Sequence, residues 1–315
     1  MEAIFRQINR FLNGPEITIF HEFHKPPYGG GNQFLMALEK EFIKKGKDVG
    51  RNNVGKNTRV CLFNSYNFDF EKLESLKNKF NPRLVHRVDG PISTYRGKEV
   101  EIDRKIWGIN HRLADATIFQ SNYSLNKHRE LGLDFKNARV ITNASDPEIF
   151  NSKGRIAPPD GRRKIKLIAT SWSDNPKKGG PTLAWLDGNL DTNKYELTFV
   201  GRTKAIFKNA KVLEPVPSEK LAEILRENDI YIAPSVDDPC SNALIEALNC
   251  GLPAVFSNSG GHPELVKEAG EKFENTSDLL AAIDKVSANY IQYQAKISVV
   301  TLQEVAEQYL KAFES

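Results

Sequence analysis

The chain has 315 residues, a formal net charge of +4, 40% hydrophobic and 27% charged residues. That length accommodates two domains of ordinary size, and that composition excludes a disordered or fibrous polymer. No run approaches the ~18 apolar residues needed to span a bilayer.

Residues 1–6 lack the charged-then-apolar pattern of a signal peptide. Cys61, Cys240 and Cys250 have no metal-ligand spacing and cannot all pair, so reduced thiols and a cytoplasmic location are expected. Basic residues cluster at 40–47, 162–166 and 204–211. Such runs are ordinarily solvated helix faces and turns. The alternative is attraction to phosphate groups, on a ligand or at a membrane surface touched peripherally.

In chain order, β-rich runs predict strands over residues 16–20, 59–63, 83–87, 116–120 and 139–142, with helices over 32–45 and 70–80 between them. After a Gly- and Pro-rich break at 151–161, strands are expected over 164–170, 195–201, 230–233 and 253–257. Helices are expected over 182–190, 218–228, 243–250 and 264–268. Residues 287–315 read as helical throughout. Alternation of this kind implies parallel sheets with helices on both faces, and ligands at the carboxyl ends of the strands. The expected fold is α/β with two Rossmann-like domains facing a central cleft: residues 1–152, residues 162–297, and a terminal helix over 298–315.

Four stretches carry chemistry. Gly29-Gly30-Gly31-Asn32 stands between the first strand and a helix, where it is either a flexible turn or a clamp that admits an anion to the helix start. His86, near the end of the third strand, can position a sugar hydroxyl or carbonyl. His21 and His24 precede the glycine loop without zinc spacing. In Trp172-Ser173-Asp174-Asn175-Pro176-Lys177-Lys178-Gly179, Lys178, with Lys177 able to assist, can neutralise a leaving diphosphate, and Arg202 can add a second charge. Finally, Asp238-Pro239-Cys240-Ser241-Asn242-Ala243-Leu244-Ile245-Glu246 places two carboxylates eight positions apart around a helix start. Free N–H groups at Ser241, Asn242 and Ala243 suit phosphate, and the two carboxylates suit the hydroxyls of a hexose and a ribose.

This last run, with Gly251-Leu252-Pro253 after it, resembles the acidic-x7-acidic signature of retaining glycosyltransferases of family 4, which adopt the GT-B fold. Asp238 stands where that family usually has Glu, and Pro239-Cys240-Ser241-Asn242 replaces its glycine turn. Lys178-Gly179 matches its Lys-Gly, whereas Trp172-Ser173 replaces its usual arginine. Further likeness lies in residues 113–122 and 140–150, where it reads as structural.

The resemblance implies a metal-independent glycosyltransferase that moves a sugar from a nucleotide-diphosphate-sugar to a glycan or lipid-linked acceptor hydroxyl, with retention. It implies His86, Lys178 and Asp238 as catalytic, and Gly30, Gly31, Arg202, Ser241, Asn242, Ala243 and Glu246 as donor-binding. The terminal helix is expected to cross back onto the first domain. No cofactor is expected, nor a metal, since Asp-x-Asp is absent. Nucleic-acid motifs and a Gly-x-Ser-x-Gly hydrolase elbow are absent too. The alternative is a non-catalytic nucleotide-sugar-binding partner subunit of a glycosylation complex.

Overall fold

The computed structural model describes residues 13–25 and 29–314. The reading of residues 1–6, and of Pro26, Pro27 and Tyr28 in the glycine loop, lies outside the described residues.

In the first sheet β1 (Ile17–Phe20), β2 (Val49–Arg51), β3 (Val60–Asn64), β4 (Arg83–Val88), β5 (Ala116–Phe119) and β6 (Ala138–Val140) run in the order β2-β1-β3-β4-β5-β6. In the second, β7 (Ile165–Ser171), β8 (Tyr195–Gly201), β9 (Lys211–Leu213), β10 (Ile230–Ala233), β11 (Ala254–Ser257) and β12 (Gly270–Phe273) run in the order β12-β11-β10-β7-β8-β9. Every pairing in both sheets is parallel. The sequence pattern misses β2, β9 and β12. All three are outer strands of three or four residues, too short and too polar to show a buried run.

Two compact units follow from the contacts. Among the described residues, one comprises 13–24, 35–142 and 302–314, the other 25, 29–34 and 143–301. The cut therefore falls before the Gly- and Pro-rich segment at 151–161. Phe150 is buried among second-unit core residues, and the Arg155 guanidinium donates to the carbonyls of Cys250 and Asp229 and to the Tyr290 hydroxyl. That segment is packed onto the second unit and is no free linker.

Side-chain alternation builds the second core. Ile230 and Ile232 point with Leu167 and Ala169 into one cluster, while Tyr231 and Ala233 point with Ile168 into another. Residues 287–315 are not one helix. Helices Thr276–Ala288 and Tyr290–Ala295 end before residues 296–301, which have no helical structure, and Leu302–Glu314 forms a separate helix. Pro is absent from that gap, but Ile297, Ser298, Val299, Val300 and Thr301 include a β-branched run of low helix propensity. The final helix buries Val305, Tyr309 and Phe313 in the first unit, with the Phe313 ring 5.7 Å from that of Phe42 and Lys45 Nζ 2.8 Å from Glu307 Oε1.

Candidate functional site

Parallel sheets leave a crevice beyond the carboxyl ends of their strands where the strand order reverses. In the second sheet that point lies between β7 and β10, which are hydrogen-bonded neighbours although the 58 residues 172–229 separate them in the chain. The chain leaves β7 through a 3-10 turn, Pro176–Lys178, whose first available N–H, that of Lys177, donates to Asn175 Oδ1 at 2.9 Å. It leaves β10 through residues 234–241 and enters helix Asn242–Asn249, where Ser241 Oγ accepts from Leu244 N at 3.4 Å.

These two exits bring Lys178 and Asp238 together, Nζ to Oδ2 at 2.7 Å. Asp238 is 7% exposed, and its Oδ1 accepts from Cys240 N at 3.2 Å. Burial pushes its carboxyl upward, but Lys178, the nearby His262 and these hydrogen bonds outweigh burial and hold it below the usual carboxylate range. Buried His262 donates from Nδ1 to the Ser257 carbonyl and accepts from the Ser235 hydroxyl at Nε2, 3.1 Å away, and burial lowers its pKa. It braces the loop from beneath through these two hydrogen bonds.

Glu246 lies one turn inside the same helix. Burial pushes its carboxyl up to about 8. Its side chain is half-buried and accepts no hydrogen bond from the described residues. A carboxyl in that state lacks donors that a ligand with adjacent hydroxyls would supply. At the helix start Asn242 Oδ1 accepts from Asn143 Nδ2 at 3.0 Å. Gly30 approaches Asn242 so closely that an added Cβ would stand 2.4 Å from its Nδ2. An added Cβ there would push the Asn242 amide aside. Gly31 follows it in the first turn of helix Gly30–Lys44, and Ala243 is half-buried beside Asn242.

Arg202 follows β8, one strand beyond β7, and its backbone N–H donates to the Ser171 carbonyl at 2.7 Å. With Lys178, Asn175 and Ser173 it lines a cavity of about 210 Å³. A wider groove of about 570 Å³ continues past Trp172, Gly201, Phe207 and Glu214. Lys178, Arg202, Asp238, Ser241, Asn242, Ala243, Glu246, Gly30 and Gly31 thus all belong to strand ends and helix starts of, or against, the second sheet.

His86 is corrected. It is 0% exposed, because β4 extends to Val88 and leaves His86 two residues inside the strand, on the helix-covered face. Its ring stacks on Phe63 at 4.2 Å, its Nε2 donates to the Ser65 carbonyl at 2.7 Å, and its Nδ1 accepts from Asn110 Nδ2 at 3.1 Å. Burial lowers its pKa to about 3, so it stays neutral and structural. The groups that do gather at the carboxyl edge of the first sheet are His21 after β1, Asn64 at the end of β3, and Arg87 and Asp89 at the end of β4. His21 Nδ1 and Asn64 Nδ2 are 3.4 Å apart across the β1–β3 reversal. Buried Arg87 donates to Asn64 Oδ1 at 2.6 Å and to Asp89 Oδ1 at 2.9 Å. Burial, then Arg87, lower the His21 pKa to about 4. The signal that finds this cluster is strand parity: in Leu84-Val85-His86-Arg87-Val88-Asp89 the residue beyond the strand, Asp89, reaches the edge.

Among the described residues no group of three or more His, Cys, Asp or Glu is placed to hold a metal ion. No helix among them is long and apolar enough to cross a membrane. Cys61, Cys240 and Cys250 are buried free thiols.

Residues 187–289 match the family described as Glycosyl transferases group 1. A stretch of 91 residues is 35% identical to the phosphatidylinositol N-acetylglucosaminyltransferase GPI3 subunit of Saccharomyces cerevisiae, spanning 28% of this chain and 20% of that protein. The match thus spans about a fifth of that relative's length. The fold superimposes on sucrose-phosphate synthase from Thermosynechococcus elongatus with a TM-score of 0.76 at 15% identity, covering 95% of this chain and 98% of the other. It superimposes on Anabaena Alr3699/HepE, solved in complex with UDP and glucose, with a TM-score of 0.71 at 15% identity, covering 96% and 100%.

Proposed function

We propose that this chain, a GT-B glycosyltransferase by its fold and by the group 1 family match of its second unit, transfers a sugar from a nucleoside-diphosphate-sugar to an acceptor hydroxyl, with retention and without a metal. The observation that carries the reading is the half-buried Glu246 carboxyl, short of hydrogen-bond donors, one turn behind a helix start that faces the strand-order reversal. Glu246 accepts from the ribose hydroxyls. The N–H groups of Asn242 and Ala243 and the charges of Lys178 and Arg202 hold the diphosphate. The groove past Trp172 and Phe207 takes the base. Asp238 accepts from the donor hexose.

The bond from the anomeric carbon to the diphosphate oxygen breaks, and the acceptor oxygen bonds to that carbon on the same face. The acceptor proton passes to the departing diphosphate oxygen, so the protein supplies position and charge rather than a nucleophile. Lys178 and Arg202 act most strongly when the diphosphate carries its full leaving charge. A lipid-linked acceptor, met peripherally at the cytoplasmic side of a membrane, suits a chain similar in part to an enzyme named for phosphatidylinositol.

The test is a panel of UDP-, GDP- and ADP-hexoses in chelator, read as release of nucleotide and as the anomeric configuration of the product. An inverted product, or no release and no binding with any donor, sinks the reading. One observation favours a second reading, a donor-binding subunit without turnover: Trp172-Ser173 replaces an arginine beside Lys178. Tight nucleotide-sugar binding without release would select it.

A further inference from the structure

We infer that Lys177 and Asp237 form a positioning pair, holding the loops after β7 and β10 together when Lys178 turns from Asp238 to the donor; this rests on the donor site proposed above. Two consecutive lysines meet two consecutive aspartates across the strand-order reversal. Lys178 Nζ lies 2.7 Å from Asp238 Oδ2, and Lys177 Nζ lies 2.8 Å from Asp237 Oδ2. The inner carboxylate is 8% exposed and the outer 28%, so the inner pair borders the site and the outer pair lies toward solvent.

The backbone around the outer pair is arranged for it. Val236 N donates to the Lys177 carbonyl at 2.8 Å, and Asp237 N donates to Ser259 Oγ at 2.9 Å. Asp237 adopts φ 57, a left-handed conformation that Asp tolerates better than most side chains and that separates its carboxylate from that of Asp238. The loops touch where Gly179 meets Pro234: a Cβ on Gly179 would stand 2.5 Å from the proline ring.

One cation cannot fully serve two anions. When Lys178 neutralises a diphosphate, its bond to Asp238 weakens, and that link between the loops loosens at the moment geometry matters most. The outer pair shares no atom with the inner one and stays closed through that exchange. Its own contribution to stability is small, because both groups are partly solvated. Its effect is on where Lys178 and Asp238 stand.

The test uses the full chain and the variants Asp237→Asn, Lys177→Met and the double variant. Asn tolerates the left-handed conformation as Asp does, so Asp237→Asn removes the charge without new backbone strain. The first readout needs no donor: the rate at which acetic anhydride labels Lys178, resolved by mass spectrometry. Labelling should accelerate at least about fivefold in each single variant, because loosened loops weaken the Lys178–Asp238 ion pair that holds the amine protonated and engaged. The second is turnover of UDP-glucose, where kcat should fall about tenfold while KM stays within about threefold, the pattern of misplaced groups. The double variant should be no worse than either single one. Unchanged Lys178 labelling in variants of normal melting temperature overturns the pair's role. A wild-type chain inert toward every nucleotide-sugar overturns the donor site, while the labelling result still judges the pair.

Discussion

Lys178 and Asp238 sit 60 residues apart in sequence and 2.7 Å apart in space, each held by the other across the β7–β10 boundary. The pair helps explain how a carboxylate that is 7% exposed stays ionised: burial raises its pKa, and Lys178, together with His262 and the Cys240 N–H, more than reverses that. It also means that removing either partner has two consequences, one on turnover and one on the charge left behind.

Lys178→Ala should lower turnover by about 10², in the range for losing one group that stabilises a leaving charge. It should also lower stability by about 1–3 kcal/mol, since Asp238 keeps a buried carboxylate without its cation. Adding Asp238→Asn should restore the stability and leave turnover low. Denaturant unfolding beside steady-state kinetics separates the two. Recovery of turnover in the double variant would contradict a role at the diphosphate.

Glu246→Gln should weaken donor binding at least about tenfold, the loss expected when charge-assisted hydrogen bonds become neutral ones. Because the free carboxyl titrates at about 8, binding of nucleotide-sugar to the unaltered chain should tighten as pH rises toward and through that value. The Gln variant should lose that dependence. Calorimetric titration across the range checks both.

The same residue sets a stability trend of opposite use. A carboxyl raised from 4.5 to about 8 binds its proton more tightly in the folded state, so its contribution weakens as pH climbs between those values. Glu246→Gln should therefore melt ~2–4 °C higher than the parent at pH near 8, for each kcal/mol relieved. Near pH 4.5 the two should melt alike. A lower melting temperature in the Gln variant at the alkaline end would count against an unsatisfied carboxyl.

His86→Ala should leave the Ser65 carbonyl and the Asn110 amide without their partner and open a cavity, costing about 2–4 kcal/mol. Donor affinity should not change. With pKa values lowered from 6.5 to about 3 for His86 and about 4 for His21, both rings are neutral when folded and charged when unfolded in acid. Stability should fall as pH drops below 6.5, and the slope should be shallower in the variant. Asp89→Asn should also lower stability, because the buried Arg87 guanidinium loses the carboxylate that pairs with it.

Transfer should continue in EDTA. Lys178, Arg202 and the helix start at Asn242 already offer positive charge to a diphosphate. Activity abolished by chelator and restored by magnesium or manganese would overturn the metal-free reading.

Alternating strands and helices were plain in the chain because each buried strand needs apolar residues on both faces, as Ile230-Tyr231-Ile232-Ala233 has. The Asp238-to-Glu246 spacing was equally plain, since a helix start and its following turn are local. Their local geometry follows from a few bonds, such as Ser241 capping Leu244. Non-local relations were out of reach. Which strands become neighbours decides that Lys178 meets Asp238 and that Lys177 meets Asp237, and strand order depends on packing the whole sheet. A histidine near a strand end reads the same whether it faces ligand or core. Only the length of β4 and the ring of Phe63 turned His86 inward and left the edge to Asp89, because one residue of register along a strand exchanges one face for the other.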